Sequence, residues 1–203
     1  MKHFIAVAGN IGAGKTCLSK RLAAMFDWEL YQEPFQENPY LENFYADMAR
    51  WAFQCEMSFL GYRLRNHWEI LNKDNSIIQD RCIYEGAEIF VKNLYRTRNL
   101  SEHDWQTYDN LYQTLISNLE PPEMIVYLES SPERCLQNIK HRNRALDTDI
   151  DEDYLRNLHA LYAEWQKNFS VCPILTVPAD GKDFKSENDV RFVANKIADA
   201  LKI

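Results

Sequence analysis

The octet Gly9-Asn10-Ile11-Gly12-Ala13-Gly14-Lys15-Thr16 constrains the fold of this chain more than any other feature. It fills every fixed position of the pattern G-x-x-x-x-G-K-[ST]. Before it, the apolar run His3-Phe4-Ile5-Ala6-Val7-Ala8 reads as a buried strand. After it, Leu18, Leu22, Met25 and Phe26 recur at helical spacing. A strand that turns through glycines into a helix leaves several backbone N–H groups pointing inward, beside the positive end of the new helix. Such a loop binds a phosphate chain. The octet therefore implies a nucleoside triphosphate, with Lys15 reaching the outer phosphates and Thr16 holding Mg²⁺ through its hydroxyl.

The 203 residues suffice for one domain with a sizeable core, and no Gly/Ser-rich linker or repeat divides them. A single domain over 1–203 is expected. With 23 basic and 30 acidic side chains the net charge is −7, which argues against a nucleic-acid binder. An anionic ligand must then be held by a local basic cluster. No apolar run is long enough to cross a bilayer, and no targeting segment precedes the first strand. Five scattered cysteines without a C-x-x-C suggest reduced thiols and a cytoplasmic protein. The histidines show no metal-ligand spacing.

Further strands are expected at Trp28–Gln32, Ser76–Gln79, Met124–Leu128 and Ile174–Val177. Helical patterns fill about 40–72, 84–95, 101–118, 132–141, 151–169 and 187–202. Ser131-Pro132-Glu133 opens one helix with a cap, a first-turn proline and an acid. Alternating strands and helices imply an α/β fold, a parallel sheet with helices on both faces. In such sheets ligands lie beyond the carboxyl ends of the strands.

Charged residues cluster where that rule puts the chemistry. Strand two ends in Glu33-Pro34, and Glu33 is placed to take a proton from an attacking hydroxyl. Strand three ends in Asp80-Arg81. Asp80 can help bind Mg²⁺ through water, and Arg81 can hold both the base carboxylate and a transferring phosphoryl group. The run His141-Arg142-Asn143-Arg144-Ala145-Leu146-Asp147 reads either as a solvated basic turn or as a lid, about 141–150, whose arginines close over phosphates. Residues 40–63 carry Tyr40, Phe44, Tyr45, Trp51, Phe53, Phe59 and Tyr62, interrupted by Asn43, Gln54, Glu56 and Arg63. A flat apolar slot with a few polar groups suits a nucleobase.

Taken in order, GNIGAGKT (9–16), EPFQENPYLENFY (33–45), the R-W-A-F to Arg63 stretch (50–63), DRCIYEGAEIF (80–90), R-N-R-x-x-D (142–147) and YLRNLHALYAEW (154–165) resemble the deoxynucleoside kinases of the P-loop superfamily. The resemblance is nearer to their purine-preferring bacterial branch, through Asn38-Pro39-Tyr40-Leu41. It implies a five-stranded parallel sheet, an arginine-bearing lid, a helical interface between two copies in a homodimer, and dependence on ATP and Mg²⁺. It assigns Glu33 as the base acting on a nucleoside 5′-hydroxyl, with Arg81 holding both. Asp80 matches the acid near Mg²⁺, Tyr45 and Asp147 the groups that hold the sugar 3′-hydroxyl, Arg142 and Arg144 the lid arginines, and Arg63 a polar group on the base side. Three positions depart from the pattern. Glu56 stands where the family has a base-reading glutamine, with Gln54 two positions earlier as an alternative reader. Gly86 stands where an acid is frequent, and Cys82 replaces a small hydroxyl residue.

The expected activity is transfer of the γ-phosphoryl of ATP to a deoxynucleoside in nucleotide salvage, with a purine as the base. A thymidylate-type monophosphate kinase and a catalytically silent nucleotide-binding subunit are the alternatives. The first needs an extra basic group for its acceptor, which 33–45 does not supply. The second is disfavoured by the presence of Glu33, Arg81 and the lid arginines. Base choice turns on Glu56. An ionised Glu only accepts hydrogen bonds, which suits the two adjacent donors of guanine, whereas a protonated Glu imitates Gln.

Overall fold

The computed structural model describes residues 2–33, 35–142, 150 and 152–203, without the Gln36 side chain. Five parallel strands, β1 (Phe4–Gly9), β2 (Glu29–Tyr31), β3 (Ile77–Asp80), β4 (Met124–Glu129) and β5 (Ile174–Pro178), form one sheet in the order β2-β3-β1-β4-β5. β1 is buried along its whole length, so both of its faces need cover. Ile5 and Val7 pack with Leu18 and Leu22 of α1 (Lys15–Phe26), Cys135 of α7 (Pro132–Arg142) and Val193 of α9 (Glu187–Leu201). On the other face Ala6 and Ala8 lie in the cluster of Cys55, Phe59, Tyr127 and Tyr162. Small residues in the central strand leave room there for the aromatic rings.

The sheet order brings the chemistry together. β1 has β3 on one side and β4 on the other, and the register sets Val7 beside Asp80 and Gly9 beside Leu128. The ends of β1, β2 and β3 therefore open onto one crevice at the switch point of the sheet.

Strands and helices fall within a residue or two of their expected places, with two instructive differences. The continuous helix expected over 40–72 is divided into α2 (Leu41–Ala46) and α3 (Met48–Leu71). Asp47 between them is extended (φ −152°, ψ 86°), and its carboxylate accepts the Arg50 N–H at 3.1 Å. Asp competes for backbone donors in this way and makes a helix start rather than a helix interior. The second difference is the stretch 84–95. It consists of α4 (Ile83–Glu85), a π-helical turn (Gly86–Val91) and α5 (Lys92–Arg96). A π turn inserts a residue into the helix and is frequent beside functional sites. Of the remaining helices, α6 (Glu102–Ile116) is capped by Ser101 and α7 by Ser131, whose hydroxyl accepts the Arg134 N–H at 3.2 Å. α8 (Glu152–Asn168) crosses the carboxyl ends of the central strands.

Gly12 shows why the phosphate loop needs glycine. Its φ is +85°, and a Cβ there would lie 2.4 Å from the Cys135 carbonyl oxygen, a backbone atom that cannot turn aside. Gly12→Ala combines left-handed strain of about 1–3 kcal/mol with this clash. At this chain length each kcal/mol lowers Tm by roughly 2–4 °C. A Tm drop of several degrees in thermal unfolding is the expected result; an unchanged Tm would show that the loop can move away from α7.

Candidate active site

The loop after β1 is held open from several sides. Asn10 Nδ2 donates to the Leu155 carbonyl at 2.9 Å, and its Oδ1 accepts the Ile11 N–H at 2.8 Å. Asn138 Nδ2 donates to the Gly12 carbonyl at 2.8 Å. Gly14, in the left-handed region at φ 94°, starts α1 and leaves the first N–H groups of the helix facing the crevice. Lys15 Nζ donates to the carbonyls of Gly9 and Asn10, both at 2.8 Å. Burial, and then the nearby Arg81, pull this ammonium down to about 8.

Thr16 and Asp80 meet beside it. The Thr16 hydroxyl donates to Asp80 Oδ2 at 2.6 Å, while buried Oδ1 has no hydrogen-bond partner among the described residues. Burial raises the Asp80 carboxyl, against the pull of Lys15. A carboxylate oxygen and a hydroxyl are hard donors, and Mg²⁺ completes its octahedron with waters and phosphates rather than a full protein cage. The residues present fit that ion.

Glu33 is the centre of the site. Arg63 Nε and Nη2 donate to its Oε1 at 3.0 and 2.5 Å, and Arg81 Nε pairs with its Oε2 at 2.8 Å. Burial alone would raise this carboxyl, but the two guanidinium groups outweigh it and hold Glu33 below its ordinary value. Arg81 has the rare positive φ of 69° for a non-glycine residue and lies over the Phe90 ring at 4.5 Å. Beneath it Glu85, wholly buried, forms an ion pair with Arg81 Nη1 at 3.2 Å and accepts the Gly9 N–H at 2.8 Å. The Tyr162 hydroxyl contacts the same Glu85 oxygen and sits 2.8 Å from the Gly9 carbonyl. One buried carboxylate thus ties the phosphate loop to the arginine that holds Glu33.

A cavity of about 310 Å³ opens on these groups. Lys15, Thr16, Asp80 and Arg81 line it on the loop side; Leu41, Phe44, Tyr45, Glu56, Phe59 and Arg63 line the far side. Glu33 stands between the two. Arg142, at the exposed end of α7, also faces the cavity, as does Tyr154. Of the residues singled out in the sequence, Gln54 is not among those lining the cavity, and its buried Oε1 has no hydrogen-bond partner among the described residues. Glu56 is the one that faces inward. Arg144 and Asp147 lie outside the described residues. Glu85 and Tyr154 were not singled out. A glutamate four residues after Arg81, within the apolar run Cys82–Phe90, was the signal for Glu85; only its zero exposure shows what it does.

A loop for a polyphosphate on one side of an ionised carboxylate, and an aromatic slot on the other, make the arrangement of a phosphotransferase. Comparison with known proteins narrows the class. The deoxynucleoside kinase family matches residues 5–202, and the chain belongs to that family of ATP-dependent phosphotransferases. It is 32% identical to the deoxyadenosine/deoxycytidine kinase of Bacillus subtilis (strain 168), over 97% of this chain and 92% of the relative. It is 33% identical to the deoxyguanosine kinase of the same organism, over 89% and 88%. Among solved structures, the deoxyadenosine kinase from M. mycoides with bound dATP superposes with a TM-score of 0.86 at 31% identity, covering 97% of this chain and 99% of that one. The same kinase with products dCMP and a flexible dCDP gives 0.87 at 29% identity, with the same coverage. No described helix is long and apolar enough to cross a membrane.

Glu85→Gln keeps the shape and an acceptor for Gly9 but removes the charge beneath Arg81. Breaking a buried pair costs up to about 3–5 kcal/mol. A clear loss of stability together with a lower kcat is expected from chemical unfolding and steady-state kinetics. Parent-like values in both would mean that Glu85 merely fills space.

Proposed function

We propose that the chain is a single kinase domain that transfers the γ-phosphoryl of ATP, with Mg²⁺, to the 5′-hydroxyl of a purine deoxynucleoside in nucleotide salvage. The observation that carries this reading is Glu33, kept ionised by Arg63 and Arg81 at the boundary between phosphate loop and aromatic slot. The 5′-hydroxyl of a nucleoside in the slot approaches Glu33 Oε, which accepts its proton as the oxygen bonds to the γ-phosphorus and ADP departs. A base for this step must be deprotonated and fixed in place; the two arginines do both.

Gly9, Asn10, Ile11, Gly12, Ala13 and Gly14 hold the phosphate chain with their backbone, and Lys15 neutralises its outer end. Thr16 and Asp80 would hold Mg²⁺, which supplies charge neutralisation at the phosphate oxygens. Arg81 stabilises charge on the transferring group while keeping Glu33 aimed. Tyr45 from α2 and Asp147 hold the sugar 3′-hydroxyl, and Arg142 and Arg144 close over the phosphates. Glu56 rather than Gln54 faces the base, because Glu56 lines the cavity. We further propose a cytoplasmic homodimer that takes no nucleic acid or membrane as partner. The net charge of −7 and the exposed Trp68 on α3 and Leu111 on α6, two helices that pack together, support that assignment.

Glu33→Gln should retain ATP binding and lose about 10²–10⁴-fold in turnover, the usual cost of removing a general base. Phosphate transfer to the four common deoxynucleosides, with thymidine monophosphate as a control acceptor, measures it; turnover within about threefold of the parent would remove Glu33 from that role. Arg142→Ala and Arg144→Ala should lower kcat more than nucleoside affinity, since their charge matters most when the phosphoryl group is in flight. If both change only Tm, the 141–150 segment is a structural turn.

A further inference from the structure

α8 touches the phosphate loop at two points. Leu155 and Tyr162 are two helical turns apart and so lie on one face of the helix. The Leu155 carbonyl accepts Asn10 Nδ2 at 2.9 Å, and the Tyr162 hydroxyl reaches the Gly9 carbonyl at 2.8 Å. Small residues in β1 make room for the ring. Ala6 and Ala8 lie in the same apolar cluster, where Tyr162 stacks on Tyr127 with ring centroids 5.1 Å apart. The Tyr162 side chain is wholly buried, and the proton transfer at Glu33 makes no use of its hydroxyl.

A tyrosine hydroxyl has one proton to donate. Tyr162 faces two acceptors, the Gly9 carbonyl and Glu85 Oε1, and can serve one at a time. Each acceptor has other donors. Lys15 Nζ donates to the Gly9 carbonyl at 2.8 Å. Glu85 Oε1 accepts the Gly9 N–H at 2.8 Å and pairs with Arg81 Nη1 at 3.2 Å. A carboxylate oxygen has about two lone-pair directions, so three donors crowd Oε1. Buried Oε2 meanwhile has no hydrogen-bond partner among the described residues. Arg81 gives way in this crowd. Its Nη1 contact is the longest of the three, and that buried nitrogen makes no hydrogen bond among the described residues.

A triphosphate shifts the balance at Lys15. The ammonium has three protons, and two are taken up by the carbonyls of Gly9 and Asn10. Two outer phosphates bring at least two more acceptors to the same group. Three protons cannot serve four acceptors. The Asn10 carbonyl has a further donor in the Ala13 N–H at 3.1 Å, and the Gly9 carbonyl has the Tyr162 hydroxyl. As Lys15 turns to the phosphates, the Tyr162 proton turns to Gly9. Glu85 Oε1 is then left to the Gly9 N–H and Arg81, and Arg81 is drawn in. Because Arg81 Nε holds Glu33 Oε2 at 2.8 Å, the change reaches the acceptor side of the site.

Resting on the reading of this site as a deoxynucleoside kinase, we propose that Tyr162 is a positioning residue whose single hydroxyl proton, passed between Gly9 and Glu85, makes ATP on the loop and a nucleoside at Glu33 strengthen each other's binding. The proton is always there to pass. Burial, and then the charge of Glu85, raise the Tyr162 hydroxyl well above its ordinary value. Such coupling is reciprocal, so each ligand tightens the other by the same factor.

Tyr162→Phe is the discriminating variant. It keeps the ring, its stack on Tyr127 and its edge contact with Trp165, and removes only the hydroxyl. Calorimetric titration gives Kd for deoxyadenosine and deoxyguanosine, each alone and with Mg²⁺ and a non-hydrolysable ATP analogue. In the parent the analogue should tighten the nucleoside that binds by about 5–10-fold. In Tyr162→Phe Arg81 has lost its competitor for Glu85, so the nucleoside alone should already bind at the tighter value and the analogue should add less than about twofold. The analogue itself should bind the variant about tenfold more weakly, because the Gly9 carbonyl then loses Lys15 with no hydroxyl to replace it. Steady-state kinetics should accordingly show a KM for ATP raised about tenfold with a smaller change in kcat. A residue that merely fills space would lower Tm and weaken both ligands alike, and that result overturns the proposal. So does the same tightening in parent and variant, or independent binding of the two ligands in the parent, a measurement that needs no variant to fold. Transfer to no deoxynucleoside by the parent overturns the kinase reading itself.

Discussion

The pairing of Glu33 with Arg63 and Arg81 is the constraint around which the rest of the structure is arranged. A carboxylate in a pocket this enclosed would ordinarily take up a proton. Two guanidinium groups prevent that, and they come from elements far apart in the chain: the middle of α3 and the end of β3. Each must itself be compensated. Arg81 rests on Glu85 and the Phe90 ring, and Arg63 on Glu56 and the Phe59 ring. The site is thus an alternating chain of acids and bases, with Glu33 the member that both arginines share.

That chain reaches the phosphate loop through Glu85, which binds the Gly9 N–H and Arg81 with one oxygen. The loop and Glu33 are in this way parts of one buried network, and a shift in either is felt by the other. The π-helical turn makes the arrangement possible. By starting at Gly86 it brings a bare backbone against Arg63, and by ending at Val91 it sets Phe90 under Arg81. An uninterrupted α-helix over the same residues would turn at least one of these positions away.

The positive φ of Arg81 belongs to the same economy of positions. Its N–H continues the sheet ladder to Val7 at 3.0 Å, while the left-handed conformation swings its side chain back across the strand ends. Asp80, one residue earlier, reaches Thr16 on the other side. A single strand end reaches both Thr16 and Glu33 because its backbone reverses between Asp80 and Arg81.

The sequence by itself determined the phosphate loop, the alternation of strands and helices, and the clustering of Glu33, Asp80 and Arg81 at strand ends. These are local properties: glycine spacing, apolar runs and the residues next to them. Other features needed the tertiary structure because their cause lies elsewhere in the chain. The helix expected over 40–72 breaks at Asp47, whose carboxylate satisfies a backbone donor more directly than a further helical turn would. Gln54 and Glu56 are two residues apart on one helix, so they point to different sides, and only the packing of α3 against α6 and the π turn shows that Glu56 is the one inside. Glu85 is not singled out by the sequence, because its part in the site comes from burial beneath Arg81. What a charge does depends on the groups it meets and the water it loses, and both are set by residues far away in the chain, as with Glu85 and Tyr162, 77 positions apart.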